Sequence, residues 1–141
     1  MSEADALAKA AAEVMWKDDR ASKWLGMKIE EVRSGYARLS MGVTQNMVNG
    51  HDLCHGGFIF TLADSTFAFA CNSHKQRAVA AGCSIEFLAP AFLGDVLTAE
   101  GVEQALAGRT GVYDMRVTNQ KGESVALFRG KSATIKGTLV E

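Results

Sequence analysis

Between Met27 and Val43 apolar and polar residues alternate with period two, first as Met27-Lys28-Ile29-Glu30 and again as Ala37-Arg38-Leu39-Ser40-Met41-Gly42-Val43. That spacing gives an extended chain one apolar face, so it predicts two strands, with Ser34-Gly35 as the turn between them. Before Met27 the period is different. Leu7, Ala10, Ala11, Val14 and Met15 recur at helical spacing, which makes residues 1–25 a helical lead-in opened by Ser2 and Asp5 as a capping box. Asp19 is a candidate cap for a short turn that Trp24-Leu25-Gly26 closes. From Phe58 to Asn72 the chain is apolar on nearly every side, the mark of a helix surrounded by protein, here expected over residues 55–73.

After Arg77 the period of two returns. Cys83, Ile85 and Phe87 alternate with Ser84, Glu86 and Leu88, and Pro90 ends that strand. A further strand spans Val96 to Leu106. Tyr113, Met115 and Val117 alternate with Asp114, Arg116 and Thr118, and Asn119-Gln120-Lys121-Gly122 is a hairpin turn. The return strand, Ser124 to Ile135, is apolar on both faces and is expected to lie centrally. Four strands in a row cannot bury both faces alone. Joined to the first two, they predict an α+β fold in which one long curved antiparallel sheet wraps a central helix.

The 141 residues suffice for one domain, expected over 1–141, with a sizeable core. A net charge of −1 with 22% charged residues leaves no basic field for nucleic acid, although a local anion site stays compatible. No apolar run reaches membrane-spanning length, so no membrane partner is expected. The acidic start, Met1-Ser2-Glu3-Ala4-Asp5, does not fit a signal or transit peptide. Cys54, Cys71 and Cys83 are odd in number and lack close pairs, which argues against a disulfide framework or a zinc site; no metal is expected. Free thiols then point to the cytoplasm.

One residue conflicts with its surroundings. Asp64 stands in the middle of the apolar helix, where an ionised carboxylate is costly unless paired or used. The helix is preceded by the polar run Asn49-Gly50-His51-Asp52-Leu53-Cys54-His55-Gly56-Gly57.

The layout resembles the hotdog fold, a sheet wrapped around a central helix. Asn49-Gly50, His55-Gly56-Gly57 and Leu62-Ala63-Asp64, in that order and spacing, resemble the signature of the phenylacetate-pathway thioesterases, the PaaI type. Phe67 to Ser73, Ile85 to Pro90, Gly94-Asp95, Gly111 to Asp114 and Val125 to Lys131 are similar to the same family. The resemblance runs from about Asp19 onward. It implies hydrolysis of an aromatic acyl-coenzyme A, phenylacetyl or ring-hydroxylated phenylacetyl, to the free acid and coenzyme A. It implies no cofactor, coenzyme A being part of the substrate. It also implies a homotetramer assembled from two dimers.

Thioester hydrolysis needs donors for the developing oxyanion and a base or nucleophile. Gly56 and Gly57 open the helix, where N–H groups lack acceptors and the dipole is positive. The Gly56 N–H is the main candidate donor and the Asn49 amide the second. The plain alternatives are a tight loop-to-helix turn at Gly56-Gly57 and a simple turn at Asn49-Gly50. Asp64 is either the general base toward water or the nucleophile through a mixed anhydride. His55 can donate to the carbonyl, act as a base, or orient the loop by a bond to backbone, the last being favoured; His51 and His74 are expected to be exposed. A Cys54 nucleophile would only exchange one thioester for another. Thr61, Asp64, Ser65, Ala68 and Asn72 share one stripe of the helix and are expected to line the site. Val48, Leu53, Phe58 and Leu62 are candidates for the acyl pocket. Arg129 and Lys131 are candidates for the coenzyme A phosphates, with Arg109 and Lys136 as alternatives.

Eight residues separate Gly56 from Asp64, about 12 Å along a helix. One helix therefore cannot bring both to one acyl carbon, and the spacing predicts composite sites across a two-fold interface, two per dimer. Some relatives hold the water with a Ser in the strand after the helix. Ala78-Val79-Ala80-Ala81-Gly82 has no hydroxyl, which leaves Asp64 with Asn49, Ser65 or Thr66 to hold it, or Asp64 attacking directly. Two other readings compete. A hotdog hydratase or dehydratase would pair His55 with Asp64, but the Asn-Pro-x-His type of loop is absent. A non-catalytic acyl-coenzyme A sensor would carry a DNA-binding module, for which the residues before Met27 are too few and not basic enough.

Overall fold

A computed structural model describes all 141 residues. Its elements are α1 (Glu3–Asp18), α2 (Arg20–Trp24), β1 (Lys28–Arg33), β2 (Tyr36–Gly42), a 3-10 turn (Gln45–Met47), α3 (Gly56–Cys71), β3 (Gln76–Phe87), β4 (Val96–Ala107), β5 (Thr110–Thr118) and β6 (Ser124–Thr138). The six strands form one antiparallel sheet in the order β1-β2-β4-β5-β6-β3. The chain leaves β2, runs through α3, and returns as β3 at the far edge; β4 then comes back beside β2. Bulges in β1, β3 and β4 interrupt the ladders, and such interruptions bend and twist a sheet. Its inner face closes around α3, as the hotdog layout requires.

Alternation decides which side chains meet the helix. On β6, Phe128, Gly130 and Ser132 face inward and Leu127, Arg129 and Lys131 face out. Gly130 is glycine for a steric reason: a Cβ there would lie 2.7 Å from the Phe67 ring. Phe67 in turn packs at 5.7 Å from Tyr113 and 5.9 Å from Phe128, ring centre to ring centre. The core so formed joins Leu39, Met41, Leu62, Leu97, Met115 and Val117, all essentially inaccessible to solvent.

The lead-in folds with one shift of face. Ser2 Oγ accepts from Asp5 N at 3.1 Å, but Asp5 does not complete the box. Its carboxylate accepts instead from Ser34 N at 3.0 Å, which ties α1 to the β1–β2 turn and holds Asp5 below its usual pKa. The buried face of α1 is Ala8, Ala11 and Ala12, while Val14 is 46% exposed. Small side chains on that face let α1 approach β1. Asp19 caps α2 through Ser22 N at 3.0 Å.

The two sheet edges differ. β1 carries Lys28, Glu30, Glu31 and Arg33 and is flanked by α1. β3 is 12 residues long, buries only Ala78, and exposes Val79 and Phe87. An edge that long and uncovered is a template for pairing with another strand.

Candidate active site

Backbone bonds fix the loop before α3 on two sides. Val48 bridges to Cys54 and Leu53 to Phe92. His55 N donates to Met47 O at 2.9 Å, Cys54 N to Ala91 O at 2.8 Å, and Leu93 N to Asp52 O at 3.0 Å. Asp52 takes a positive φ of 61° at the tip, a conformation Asp tolerates better than most residues. The Asn49 side chain organises this turn: its Oδ1 accepts from His51 N at 2.9 Å and Leu53 N at 3.1 Å. With the oxygen so held, the amide orientation is fixed, and Nδ2 is left with no acceptor in the chain.

The chain enters α3 through His55, which has an extended backbone and makes no side-chain cap. The Gly56 and Gly57 N–H groups find no backbone acceptor, so two donors at the positive end of the helix stay available. The ring of Phe87, from the end of β3, closes over Gly56; a Cβ there would sit 2.8 Å from Phe87 Cζ. A side chain there would have to displace the half-exposed Phe87 ring. Beside it lies a cavity of about 530 Å³ lined by Cys54, Gly56, Ile59, Phe87 and the segment Leu88–Ala91.

Asp64 lies two turns further on, part-buried, and its carboxylate makes no hydrogen bond or ion pair within the chain. Burial pushes its pKa up because desolvation disfavours the charged form. Its charge reaches Cys83 on the inner face of β3, adding to burial in raising that thiol. The other polar groups of the helix are engaged. Thr61 Oγ1 donates to Gly57 O at 2.8 Å, Ser65 Oγ pairs with Ser22 Oγ at 2.9 Å under α2, and Thr66 Oγ1, fully buried, donates to Leu62 O at 2.8 Å. Thr66, sealed in the core, is therefore not a water-holding hydroxyl, and Ser65 has one of its bonds taken up by α2. Asn72 also leaves the predicted stripe. Its Nδ2 donates to Ala68 O and Ala78 O at 3.0 and 3.1 Å, and its Oδ1 accepts from Ala78 N at 2.9 Å.

Several other candidates end up elsewhere. His55 is exposed and its ring bonds to nothing, so the side-chain bond favoured from the sequence is not formed; the backbone N–H orients the loop instead. His74 is not a free surface residue: Nε2 lies 2.6 Å from Glu103 Oε1, which also accepts from Tyr113 OH at 2.9 Å. Burial raises the Cys54 thiol, which keeps it protonated and a poor nucleophile. The acyl-pocket candidates do not share one cavity. Val48 and Leu53 belong to the loop bridges, and Leu62 is core. Phe58 lines a separate recess of about 170 Å³ with Trp24 and Met47. Arg129 and Lys131 point from the outer face, behind the sheet from α3. Arg129 is held there by both oxygens of Asp114 at 2.6 and 2.7 Å, a pair that lowers the Asp114 pKa. Cross-strand register explains this, since Asp114 stands directly opposite Arg129. Sequence reasoning missed Phe87 and Cys83 as neighbours of Gly56 and Asp64. The alternation of Cys83, Ile85 and Phe87 on one face was the available signal.

The sheet wrapped on a buried helix, with open N–H groups at its start and an unpartnered carboxylate within it, defines a class: the chain belongs to the thioesterase superfamily, whose family model matches residues 51–126. Among individual relatives, the Escherichia coli (strain K12) acyl-coenzyme A thioesterase PaaI is 48% identical over 128 residues, 91% of each chain. A putative esterase of Archaeoglobus fulgidus is 40% identical over 116 residues, 82% of this chain and 75% of that one. The solved structure of the E. coli PaaI protein from the phenylacetic acid degradation operon superposes with a TM-score of 0.93 at 47% identity, over 95% of this chain and 97% of that one. A hypothetical thioesterase of Streptococcus pneumoniae solved with coenzyme A gives a TM-score of 0.75 at 29% identity, over 79% and 90%.

Proposed function

We propose that this chain hydrolyses phenylacetyl-coenzyme A, or a ring-hydroxylated form of it, to the free acid and coenzyme A. The observation that carries the reading is Asp64, a part-buried carboxylate with no partner in its own chain, on the same helix as the open Gly56 and Gly57 N–H groups. A thioester carbonyl whose oxygen sits on the Gly56 N–H and the Asn49 amide is polarised toward attack. Asp64 then either takes a proton from the attacking water or adds to the carbonyl carbon to give a mixed anhydride that water cleaves. The thiolate of coenzyme A leaves in both cases. No cofactor beyond the coenzyme A of the substrate is required.

Donor and carboxylate are about 12 Å apart along one helix. The site is therefore composite: Gly56 and Asn49 of one chain face Asp64 of a second. The long uncovered β3 supports that assembly, since pairing two copies about a two-fold axis would cover its exposed edge. Two such dimers form a tetramer. The three unpaired cysteines suit a reducing cytoplasm.

The test is a turnover screen over coenzyme A thioesters of differing ring and chain length, read by thiol release. Phenylacetyl or hydroxyphenylacetyl thioesters are expected to give the highest kcat/KM. Intact thioesters across the panel, or double-bond chemistry on a crotonyl thioester without free thiol, would contradict the reading.

A further inference from the structure

At the other end of α3 a second recess, about 300 Å³, opens between the start of β3 and the β4–β5 turn. Its floor includes Ser132, only 3% exposed, whose hydroxyl has no partner in the chain. Gly111 keeps that oxygen open to the recess: a Cβ there would sit 2.7 Å from Ser132 Oγ and 2.8 Å from Tyr113 Cε1. No buried polar side-chain atom of the chain lacks a partner, so the unpaired Ser132 oxygen is not sealed in the core but reaches the recess, where it is free to bond a ligand. The Thr110 and Thr134 side chains also line the space, and Lys75 and Arg109 rim it. Neither cation has an ion-pair partner in the chain. Arg109 is steadied by one bond to Thr134 O at 3.1 Å, which leaves most of its fork free. No acidic side chain lines the recess. Glu103, the nearest carboxylate to Tyr113, is held by Tyr113 and His74. The negative end of α3 is quieted where the Ala68 and Ala70 carbonyls accept from Asn72 and Ser73.

We propose that this recess binds a phosphoryl group, with the Ser132 hydroxyl at its base and Lys75 and Arg109 at its mouth. Cations at the rim and neutral donors below match a tetrahedral oxyanion, which needs charge neutralisation and several hydrogen bonds at once. Two sources share that chemistry. One is the coenzyme A part of a thioester bound at the partner's site, because antiparallel pairing of two β3 strands brings the start of one beside the end of the other; this source rests on the function proposed above. The other is a separate phosphorylated small molecule.

The experiment is calorimetric titration of the full-length protein with inorganic pyrophosphate and with free coenzyme A, on wild type, Ser132→Ala and Arg109→Gln, alongside phenylacetyl-coenzyme A kinetics. Saturable pyrophosphate binding is expected, weakened about five-fold by Ser132→Ala, the worth of one neutral hydrogen bond. Arg109→Gln should weaken it by about ten-fold or more, the worth of a charged one. If coenzyme A is the source, pyrophosphate competes with the thioester and both variants raise KM with kcat held. If the ligand is separate, binding persists without competition. Because binding is read directly, it remains measurable even if no thioester is hydrolysed. Absence of saturable binding by both probes, or affinities unchanged in both folded variants, would overturn the proposal.

Discussion

The N-terminal end of α3 leaves the Gly56 and Gly57 N–H groups without an acceptor and has no side-chain cap, whereas at its C-terminal end one asparagine closes the chain three ways. The closed end is also the more deeply buried one, with Thr66, Phe67, Phe69, Ala70 and Cys71 buried, against Ile59, Leu62 and Ala63 in the first half. Asn72 spends its amide on Ala68 and Ala78 and secures the start of β3. Asn49 spends only its oxygen on the loop and keeps its Nδ2 open. The same residue type thus serves stability at one end and offers a donor at the other. The open donors at the helix start lie where a substrate can satisfy them, and that contrast between the two helix ends can be attacked from both sides.

The largest effect is expected at Asp64. Asp64→Asn should lower kcat/KM by roughly 10³-fold or more, the scale of losing a base or nucleophile. Turnover within a few-fold of wild type would remove Asp64 from the chemistry. Its folded-state pKa lies above 3.8, so the fold favours the protonated form. The stability from that preference is present below 3.8 and is lost as pH rises through the raised value. At neutral pH the Asn variant should therefore unfold at the same temperature as wild type or higher; a clear loss of stability would mean that the carboxylate has a structural role.

Next comes the open end. Asn49→Ala should cost about 10²-fold in kcat, provided circular dichroism shows the loop and fold intact. A change in KM alone would assign Asn49 to binding. At the closed end Asn72→Ala should instead cost about 2–3 kcal/mol of unfolding free energy, because Ala78 N and its carbonyl partners are left unsatisfied. Per-site activity below the transition should remain near wild type, and a selective loss of kcat with full stability would erase the contrast between the two ends. The smallest effect is on pH. The acid limb of kcat/KM should fall at a pH above that of a free aspartate, following the direction of the Asp64 shift. An acid limb at or below 3.8 would contradict it.

Period-two alternation located β1, β2, β5 and the second half of β3, and the all-round apolar run located α3, because both follow from which face must be buried; β6, apolar on both faces, and β4 were placed without it. Pairing partners were less legible. Nothing in the β3 sequence says that it lies beside β6 at the sheet edge instead of next to β2, since alternation fixes a face and not a neighbour. The same limit misplaced Arg129: its partner Asp114 is set by cross-strand register. Ser65, on the helix stripe, and Thr66 looked like free hydroxyls, but a contact from α2 and local back-bonding engage them. His74 looked exposed because Glu103, its partner, lies 29 residues away. Asp64 and Gly56 were legible because the conflict each presents, a charge in an apolar helix and a glycine pair at its start, is local in sequence.

The claim that donors and carboxylate come from different chains is tested most directly by subunit mixing. Asp64→Asn and Asn49→Ala chains, each nearly inactive, are unfolded together at equal amounts, refolded and assayed. A composite site predicts recovery to about a quarter of wild-type activity, since half the dimers are mixed and one of the two sites in each is intact. Activity that stays at the average of the two parents, while the chains demonstrably exchange, would show that each chain carries its own complete site.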